Sequence, residues 1–514
     1  LICNAHLDPV WQWEWEEGAA EALSTFRIAA KFCEEYDNFV FCHNEALLYE
    51  WIEEYDPALF KKIQELVKLR KWHIMGGWYL QPDCNMPSGE SFVRQILSGK
   101  KYFYEKFNVK STVAVNVDPF GHNRGLVQIM KKTGYNGYLF MRPGNDFIEL
   151  DDEFKWVGYD DSEINAVKIK YGYASGKGKV DHKINVFIEE TKDDDFSLCL
   201  WGVGNHGGGP SKTDLDNITK MASELEKDGV ELIHSTPEEY FTVIENNREL
   251  KKVDVSLNPW AVGCYTSQVR VKQQYRKAEN EYYLTENMCT RAYSAGLMKY
   301  PYAELKDAMR DILFVQFHDI LPGSSIKDSE QAALRTINHS LEILSKLKAR
   351  AFFALASGQK KASSDKIPFL AYNPYPYPIT GEFEVEFNLW DQIHDDVFMK
   401  TVVCDEKGNI CPSQCEKERS TIPLEWRKKV VFNATLEPMQ MNRFDCGFEK
   451  IDKKPFNQIV QDDEKYIIDC GNSHFELNKK TGLIDAYSKN SVNYVKDNSF
   501  ILEVFEDNYD PWYM

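Results

Sequence analysis

The sequence predicts a multidomain protein, in which an N-terminal α/β domain with a mostly parallel sheet precedes a helical bundle and an all-β, sandwich-like C-terminal region. Three observations predict this fold class. The 514 residues allow about three domains, short apolar runs alternate with helical patterns up to residue 255, and two-residue periodicity begins after residue 357. We therefore expect the α/β domain over 1–255, the bundle over 256–357 and the start of the β region, cut short, over 358–514.

The helices of the first part are predicted from their starting residues. Asp56 can cap a helix whose first residue is Pro57, because aspartate accepts free N–H groups and proline suits the first turn. By the same signals a second helix starts near Ser88, and a third follows Ser235 and Pro237. Short β-rich runs lie between the helices, and this order is that of an α/β domain.

Polar motifs follow three of the predicted strands. LICNA leads to His6 and Asp8, TVAVNV leads to Asp118, and SLCLW leads to the glycine-rich GVGNHGGGP. In parallel α/β sheets, ligands bind at the carboxyl ends of the strands. We therefore expect these motifs to converge on one cleft.

The later regions are predicted from their periodicity. Apolar residues at helical spacing, such as Met309, Ile312 and Val315, indicate a bundle, and a small polar linker follows at 356–366. In the segment EFEVEFNL, which begins at Glu382, acidic and apolar residues alternate as in a strand with one buried face. The C-terminal region is accordingly predicted as β structure, part of a sandwich.

The composition limits the classes of partner. A formal net charge of −19 disfavours nucleic acid and anionic membrane surfaces. No apolar run approaches the ~20 residues of a membrane-spanning helix, and the 12 cysteines form no C-x-x-C pair. We expect a soluble protein with reduced thiols in the cytoplasm, with no nucleic-acid or membrane partner. Assembly into a homo-oligomer stays open.

Four residues form a candidate metal-binding set, although each has an ordinary alternative. His6 and Asp8 lie two residues apart, so both side chains can reach one cation, but such pairs are more often salt bridges. Asp118 ends an apolar strand and needs a partner, or it only begins a turn. His318 closes a bundle helix, where histidine usually serves the helix dipole. Pooled, these nitrogen and oxygen ligands suit zinc, manganese or another divalent ion.

The glycine-rich loop and the neighbouring aromatic residues favour a sugar over a phosphate ligand. WGVGNHGGGPS lacks the GK[ST] end of a P-loop and the spacing of a dinucleotide site, so phosphate is disfavoured and a flexible loop is the alternative. Aromatic faces suit sugar rings, although each such residue taken alone is more often part of a core. Those near the motifs include Trp11, Trp13, Trp15, Trp78, Tyr79, Phe120 and Trp201.

Four motifs in a fixed order resemble a known enzyme family. AHLDPVW, HIMGGWYLQPDCNMPSGESFVRQ, NVDPFGHN and QFHDILPGSSI are similar, in order and spacing, to motifs of the glycoside hydrolase family 38 α-mannosidases, with the bacterial and cytosolic branch nearest. The resemblance covers nearly the whole chain and implies an α/β domain, a helical bundle and β domains that continue past residue 514. It also implies retaining hydrolysis of terminal α-mannosidic bonds in mannose-containing oligosaccharides.

The resemblance also implies roles for residues of these motifs. His6, Asp8 and His318 are implied to bind one divalent metal ion, expected to be Zn²⁺, together with Asp118. Asp118 is also implied to be the nucleophile that attacks the anomeric carbon. The residues implied to contact the substrate are Trp11, Phe120, Arg142 and Asp319, with Arg142 beside the nucleophile.

This sequence departs from the family pattern at the residue expected to donate the proton. Cytosolic relatives carry aspartate in the glycine-rich loop, whereas this chain has Asn205, which delivers no proton at neutral pH, and then His206. We favour His206 as the acid, because imidazole titrates near working pH. The alternatives are Asp160, Asp161 or a leaving group that needs no acid. Gln81 stands where relatives often have glutamate, and we expect it to affect how the sugar is held.

Two other functions stay open at this stage. Strand-end histidine and aspartate ligands on an α/β scaffold also suit a metal-dependent carbohydrate deacetylase, which activates water. A non-catalytic mannose-binding relative that lost its acid residue would fit Asn205.

Overall fold

The computed structural model describes residues 1–204, 208–395, 397–418, 425–453, 459–496, 499–506 and 511–512. The chain divides into two compact units. The first unit contains Leu1–Cys289, Tyr300–Ala349 and the segment 511–512, and the second contains Thr290–Lys299 and Arg350–Asn508. The predicted fold class is confirmed, because an α/β part, a helical part and a β part follow one another along the chain. The boundaries at residues 255 and 357 stay a prediction.

The strands of the first unit form sheets that are mostly parallel. Their bounds are β1 Ile2–Cys3, β2 Phe41–His43, β3 Trp72–Ile74, β4 Val113–Asn116, β5 Gly137–Phe140, β6 Glu153–Val157, β7 Glu163–Lys168, β8 Leu200–Trp201 and β9 Lys252–Val253. One sheet has the order β3-β2-β1-β8, with neighbours parallel. Another has the order β4-β5-β7-β6-β9, in which β6 and β7 are antiparallel and the other neighbours parallel.

The parallel strands are buried on both faces. Every residue of β1, β2, β4 and β5 is buried, which explains why their sequences are mostly apolar and do not alternate with exposed polar residues. Their side chains contribute to core clusters in which, for example, Ile2, Val113 and Leu139 pack together. The sheets therefore provide a rigid base for the loops at their carboxyl ends.

Helices connect and cover these strands. Their bounds are α1 Trp15–Glu35, α2 Ala46–Tyr55, α3 Pro57–Lys68, α4 Gly89–Phe107, α5 Leu126–Lys132, α6 Val180–Glu190, α7 Lys212–Leu225, α8 Pro237–Asn247, α9 Val269–Ser294, α10 Tyr302–Val315 and α11 Lys327–Ala356. Short 3₁₀ turns lie at Glu226–Asp228 and Val262–Tyr265. The predicted helix starts are confirmed: Asp56 caps α3, Ser88 caps α4, and α8 begins at Pro237.

The end of α10 differs from the prediction. The helix stops at Val315, so His318 lies beyond it rather than in its last turn. The physical reason is that the backbone of this segment pairs with another one. The N–H of His318 donates to the carbonyl of Gln81, and the carbonyl of Gln316 accepts the N–H of Asp83 at 2.7 Å. These groups are thereby removed from helical pairing.

The second unit is built from antiparallel β structure, as predicted. Its strands are β10 Ile367–Asn373, β11 Ile379–Ile393, β12 Phe398–Asp405, β13 Ile410–Cys411, β14 Ser413–Glu416, β15 Glu425–Leu436, β16 Gln440–Ile451, β17 Val460–Gln461, β18 Lys465–Cys470, β19 Ser473–Asn478, β20 Ile484–Lys489 and β21 Val492–Asn493. The sheet orders are β10-β16-β12-β13, β11-β15-β14 and β17-β18-β19-β20-β21. Residues of the first two of these sheets share a core that includes Phe369, Val430 and Phe444.

Among the described residues, no helix has both the length and the apolar character needed to cross a membrane.

Candidate active site

The residues of the candidate metal site follow regular elements of the first unit. His6 and Asp8 follow β1, Asp118 follows β4, and His318 follows α10. The loop that carries His6 packs closely against the end of strand β8, where Gly202 lies. A Cβ atom built at Gly202 would lie 2.0 Å from the carbonyl oxygen of Asn4, so the absence of a side chain allows this close approach.

The side chains of this set meet at one buried point. His6 Nε2 lies 2.9 Å from Asp8 Oδ1 and 3.5 Å from Asp118 Oδ2. His318 Nε2 lies 3.5 Å from the same oxygen of Asp8. Ligand atoms of His6, Asp118 and His318 lie within 4.8 Å of one another, and so do those of Asp8, His318 and Asp319. The structure thus brings together the residues that the sequence singled out.

This donor set fits a divalent cation. Within the part of the chain that the structure describes, His6 Nε2, Asp8 Oδ1 and His318 Nε2 are buried without a hydrogen bond of normal geometry. Buried polar atoms without partners cost free energy, so a group that engages all of them together is expected. Nitrogen and oxygen donors that converge on one point match the ligands of zinc and related ions.

The charges of the cluster follow from burial and from opposite charges nearby. Burial opposes the charge on His6, but the carboxylates of Asp8 and Asp118 outweigh it and raise the pKa of His6 well above its usual value. Burial also opposes the charge on Asp118, yet His6 and the guanidinium of Arg142 hold the pKa of Asp118 well below its usual value. Burial raises the pKa of Asp319 to about 7. Asp118 is therefore ionised at neutral pH.

Arg142 lies beside Asp118, as the family resemblance implies. Its Nε donates to Asp118 Oδ1 at 2.7 Å, and its Nη2 lies 2.6 Å from the same oxygen. The guanidinium carbon is 4.7 Å from the ring centre of Trp260, a cation–π contact that holds the side chain in place. One oxygen of Asp118 is thus occupied by arginine, while the other faces His6.

Sequence reasoning missed Tyr173. Its hydroxyl donates to Asp118 Oδ2 at 3.3 Å, and its ring centre lies 4.6 Å from that of His6. Tyr173 stands in the loop after β7, outside every motif. The rule that ligands bind at the carboxyl ends of parallel strands was the signal that could have found it.

Comparison of the sequence with family models identifies the protein class. The model described as the "Glycosyl hydrolases family 38 N-terminal domain" matches residues 1–262, the region that contains His6, Asp8 and Asp118. The chain belongs to glycosyl hydrolase family 38. A second model, the "Alpha mannosidase middle domain", matches residues 260–355 and so includes His318.

Curated relatives from this family are longer than the chain. Alpha-mannosidase G of Dictyostelium discoideum is 29% identical over 339 residues, which cover 63% of this chain and 30% of the relative. Human alpha-mannosidase 2C1 is 27% identical over 344 residues, which cover 64% of this chain and 32% of the relative. The matched region thus spans about a third of these relatives' length.

A solved structure of an alpha-mannosidase shares the fold. The crystal structure of an alpha-mannosidase from Enterococcus faecalis superposes with a TM-score of 0.73 at 18% identity, covering 94% of this chain and 61% of that one. At this level of identity the comparison shows a shared fold over most of the present chain.

The predicted substrate-binding residues lie at different distances from the cluster. The ring of Phe120 is buried, with its centre 6.4 Å from that of His318 and 5.9 Å from that of Trp260. Asp319 is buried and accepts a bond of 2.5 Å from the hydroxyl of Ser324. Trp11 is partly buried, and its carbonyl accepts the N–H of residue 326, in the turn region that follows Asp319.

The identity of the proton donor stays a prediction. Asn205 and the predicted acid His206 lie outside the described residues. Asp160 and Asp161 belong to the turn between β6 and β7, which precedes β7. Because β7 runs parallel to β5, and β5 to β4, this turn lies at the opposite edge of the sheet from Asp118. The alternative that either aspartate supplies the proton is therefore wrong.

Gln81 is buried, and both polar atoms of its side chain bond to other protein groups. Its side-chain oxygen accepts the N–H of Val117, and its side-chain nitrogen donates to Glu45. Any effect of Gln81 on the sugar is therefore indirect.

Proposed function

We propose that this chain carries the catalytic region of a retaining α-mannosidase, which hydrolyses terminal α-mannosidic bonds of oligosaccharides with the help of one divalent cation. The observation that supports this most strongly is the convergence of His6, Asp8, Asp118 and His318 at one buried point. Family membership and the α-mannosidase names of the relatives supply the substrate class.

The proposed cation ligands are His6, Asp8, Asp118 and His318, with Zn²⁺ as the expected ion. When bound, the cation supplies positive charge that binds sugar hydroxyls and stabilises negative charge at the site. His6 and His318 would each offer Nε2, the atom that already points into the cluster. The carboxylates balance the charge of the ion in a buried setting.

Asp118 is proposed as the nucleophile. Its carboxylate oxygen forms a bond to the anomeric carbon while the bond from that carbon to the leaving oxygen breaks, giving a covalent glycosyl-enzyme. Water then attacks the same carbon and releases Asp118 with overall retention. Arg142 keeps Asp118 ionised and limits its rotation by holding Oδ1. Tyr173 donates to Oδ2, which orients the second oxygen.

The other proposed contacts follow from the sequence resemblance. Trp11 and Phe120 would face the mannose ring, and Arg142 and Asp319 would bind near its hydroxyls. His206 is proposed to protonate the leaving oxygen and then to assist the attacking water. Cytoplasm is the proposed compartment, supported by cysteines that are free thiols.

The test is hydrolysis of an aryl α-mannoside, with acetate release from an acetylated sugar measured in parallel. We expect aryl release that a chelator abolishes and that Zn²⁺ restores, with the α-anomer of mannose as first product by NMR. Acetate release alone would favour the deacetylase, and mannose binding by calorimetry without any aryl release would favour a non-catalytic protein. Formation of β-mannose first would refute the retaining mechanism.

A further inference from the structure

Gln81 contacts the segments of several proposed cation ligands at once. It is 1% exposed and follows β3 in the chain. Its main-chain carbonyl lies 3.3 Å from Nδ1 of His318 and accepts the backbone N–H of the same residue at 3.3 Å. A proton on Nδ1 of His318 would thus point at this carbonyl and leave Nε2 free to bind a cation.

The side chain of Gln81 reaches two more of these segments. Its Oε1 accepts the N–H of Val117, the residue before Asp118, at 2.8 Å. Its Nε2 lies 3.5 Å from Nδ1 of His6. One buried residue therefore touches the ring of His6, the backbone next to Asp118 and both the ring and the backbone of His318.

Glu45 fixes the orientation of this amide. It is fully buried, and its Oε1 accepts from Nε2 of Gln81 at 2.9 Å. Because Val117 offers a donor on one side and Glu45 an acceptor on the other, the amide of Gln81 has a single favourable orientation. Glu45 itself has a φ of 70°, unusual for a residue other than glycine, so the chain accepts local strain where this contact is made.

We infer that Gln81, oriented by Glu45, is a positioning residue that holds His6, His318 and the strand end of Asp118 at the separation a single divalent cation requires. The inference rests on the proposed function for the presence of the cation. Residues that hold metal ligands in place typically change metal affinity by about 10- to 100-fold when they are replaced. Gln81 acts through the ligands and touches neither substrate nor cation.

Gln95 provides a matched control. It is also a fully buried glutamine, whose Oε1 accepts the N–H of Leu80 at 3.0 Å and whose Nε2 donates to Leu313 and Gln316 at 2.9 Å. Its partner Leu80 is the residue directly before Gln81. Replacement by leucine leaves buried polar groups unpaired at either position, so both variants should lose thermal stability.

The experiment is competition for Zn²⁺ between the metal-free full chain and a chromophoric chelator. We expect Gln81→Leu to bind Zn²⁺ about 10- to 100-fold more weakly than wild type, and Gln95→Leu to stay within about threefold. Equal affinity of Gln81→Leu and wild type, or an equal loss in Gln95→Leu, would overturn the inference. A wild type that binds no Zn²⁺ would overturn both this inference and the cation of the proposed function.

A second pair of variants, which exchanges the carboxylate and the amide of Glu45 and Gln81, tests the inference if Gln81→Leu does not fold. Gln81→Glu alone places a carboxylate against Glu45, which should displace the side chain and weaken Zn²⁺ binding. The double variant Glu45→Gln with Gln81→Glu restores one donor and one acceptor, and its affinity should return to within about threefold of wild type. Equal affinities of the single and double variants would overturn the inference.

Discussion

Nε2 of His318 lies 3.5 Å from Oδ1 of Asp8. This distance joins a side chain that follows α10 to one that follows β1, across the regions matched by the two family models. The separation is too long for a good hydrogen bond, and both atoms are buried. A cation between them would give both atoms a partner.

Asp118→Asn should remove turnover. The amide is a poor nucleophile of nearly the same shape, so kcat on an aryl α-mannoside should fall by about 10⁴-fold or more. The variant should also resist covalent labelling by a fluorinated mannosyl reagent, followed by intact-protein mass spectrometry. Asp160→Asn, at the far edge of the sheet, is the control and should behave as wild type. Labelling of Asp118→Asn would disprove the nucleophile assignment.

Arg142→Met should raise the pKa of Asp118 in the metal-free protein. Although burial opposes ionisation of Asp118, His6 and Arg142 lower its pKa, so loss of the arginine raises that pKa. The measurement is the carboxyl ¹³C shift of Asp118, followed by NMR across a pH titration of the metal-free protein. Arg142→Lys keeps the charge and should raise the pKa less. An equal pKa of Asp118 in Arg142→Met and in wild type would contradict this electrostatic role.

His206→Ala should separate substrates by their leaving groups. If the imidazole protonates the leaving oxygen, natural mannosides should be cleaved about 10²-fold more slowly or worse, while dinitrophenyl mannoside should lose less than about tenfold. Asn205→Asp in the same background should recover part of the lost rate, since it supplies a carboxyl group. The measurement is kcat/KM across a series of aryl mannosides. Equal losses on good and poor leaving groups would reject His206 as the acid.

His122→Gln should lose less unfolding free energy than wild type as the pH falls below 6.5. His122 is fully buried, with Nε2 2.9 Å from the carbonyl of Arg142 and Nδ1 2.7 Å from the hydroxyl of Tyr138, and burial lowers its pKa to about 3 from the usual 6.5. As the pH falls below 6.5, His122 is therefore protonated in the unfolded chain before it is protonated in the folded protein. The stability contributed by neutral His122 is complete above pH 6.5 and is lost progressively as the pH falls towards 3.

The size of this effect is measurable. Between pH 6.5 and about pH 4.5 the proton linkage of His122 amounts to about 2 kcal/mol of unfolding free energy. Urea unfolding at both pH values should show wild type losing about that much more than His122→Gln. His182→Gln, at an exposed position of α6, is the control and should keep the wild-type slope. Identical slopes for wild type and His122→Gln would contradict the prediction.

The local sequence contained enough information for the helices, the fold class and the main polar set. Asp56 and Ser88 mark helix starts because capping depends on neighbouring residues alone. His6, Asp8 and Asp118 were found because each follows a short apolar strand, and parallel strands end at a common edge. These features need no knowledge of distant contacts.

Features that depend on distant pairing were not predictable. The end of α10 is set by bonds from Gln316 and His318 to the segment of Gln81, far away in the sequence. Tyr173 has no motif, since its role arises only where its loop meets Asp118. The same holds for Glu45, which belongs to no motif and bonds to Gln81, 36 residues further along the chain. Such partners become visible only when separate segments are folded together.

One divalent cation is proposed to bind His6, Asp8, Asp118 and His318 together. The most direct measurement is an anomalous difference map from a crystal of the wild-type protein soaked in Zn²⁺, collected on both sides of the zinc edge. We expect one peak about 2.0–2.3 Å from His6 Nε2, His318 Nε2 and an oxygen of each aspartate. A map with no peak there, or with a zinc ion bound only by other side chains, would contradict this proposal.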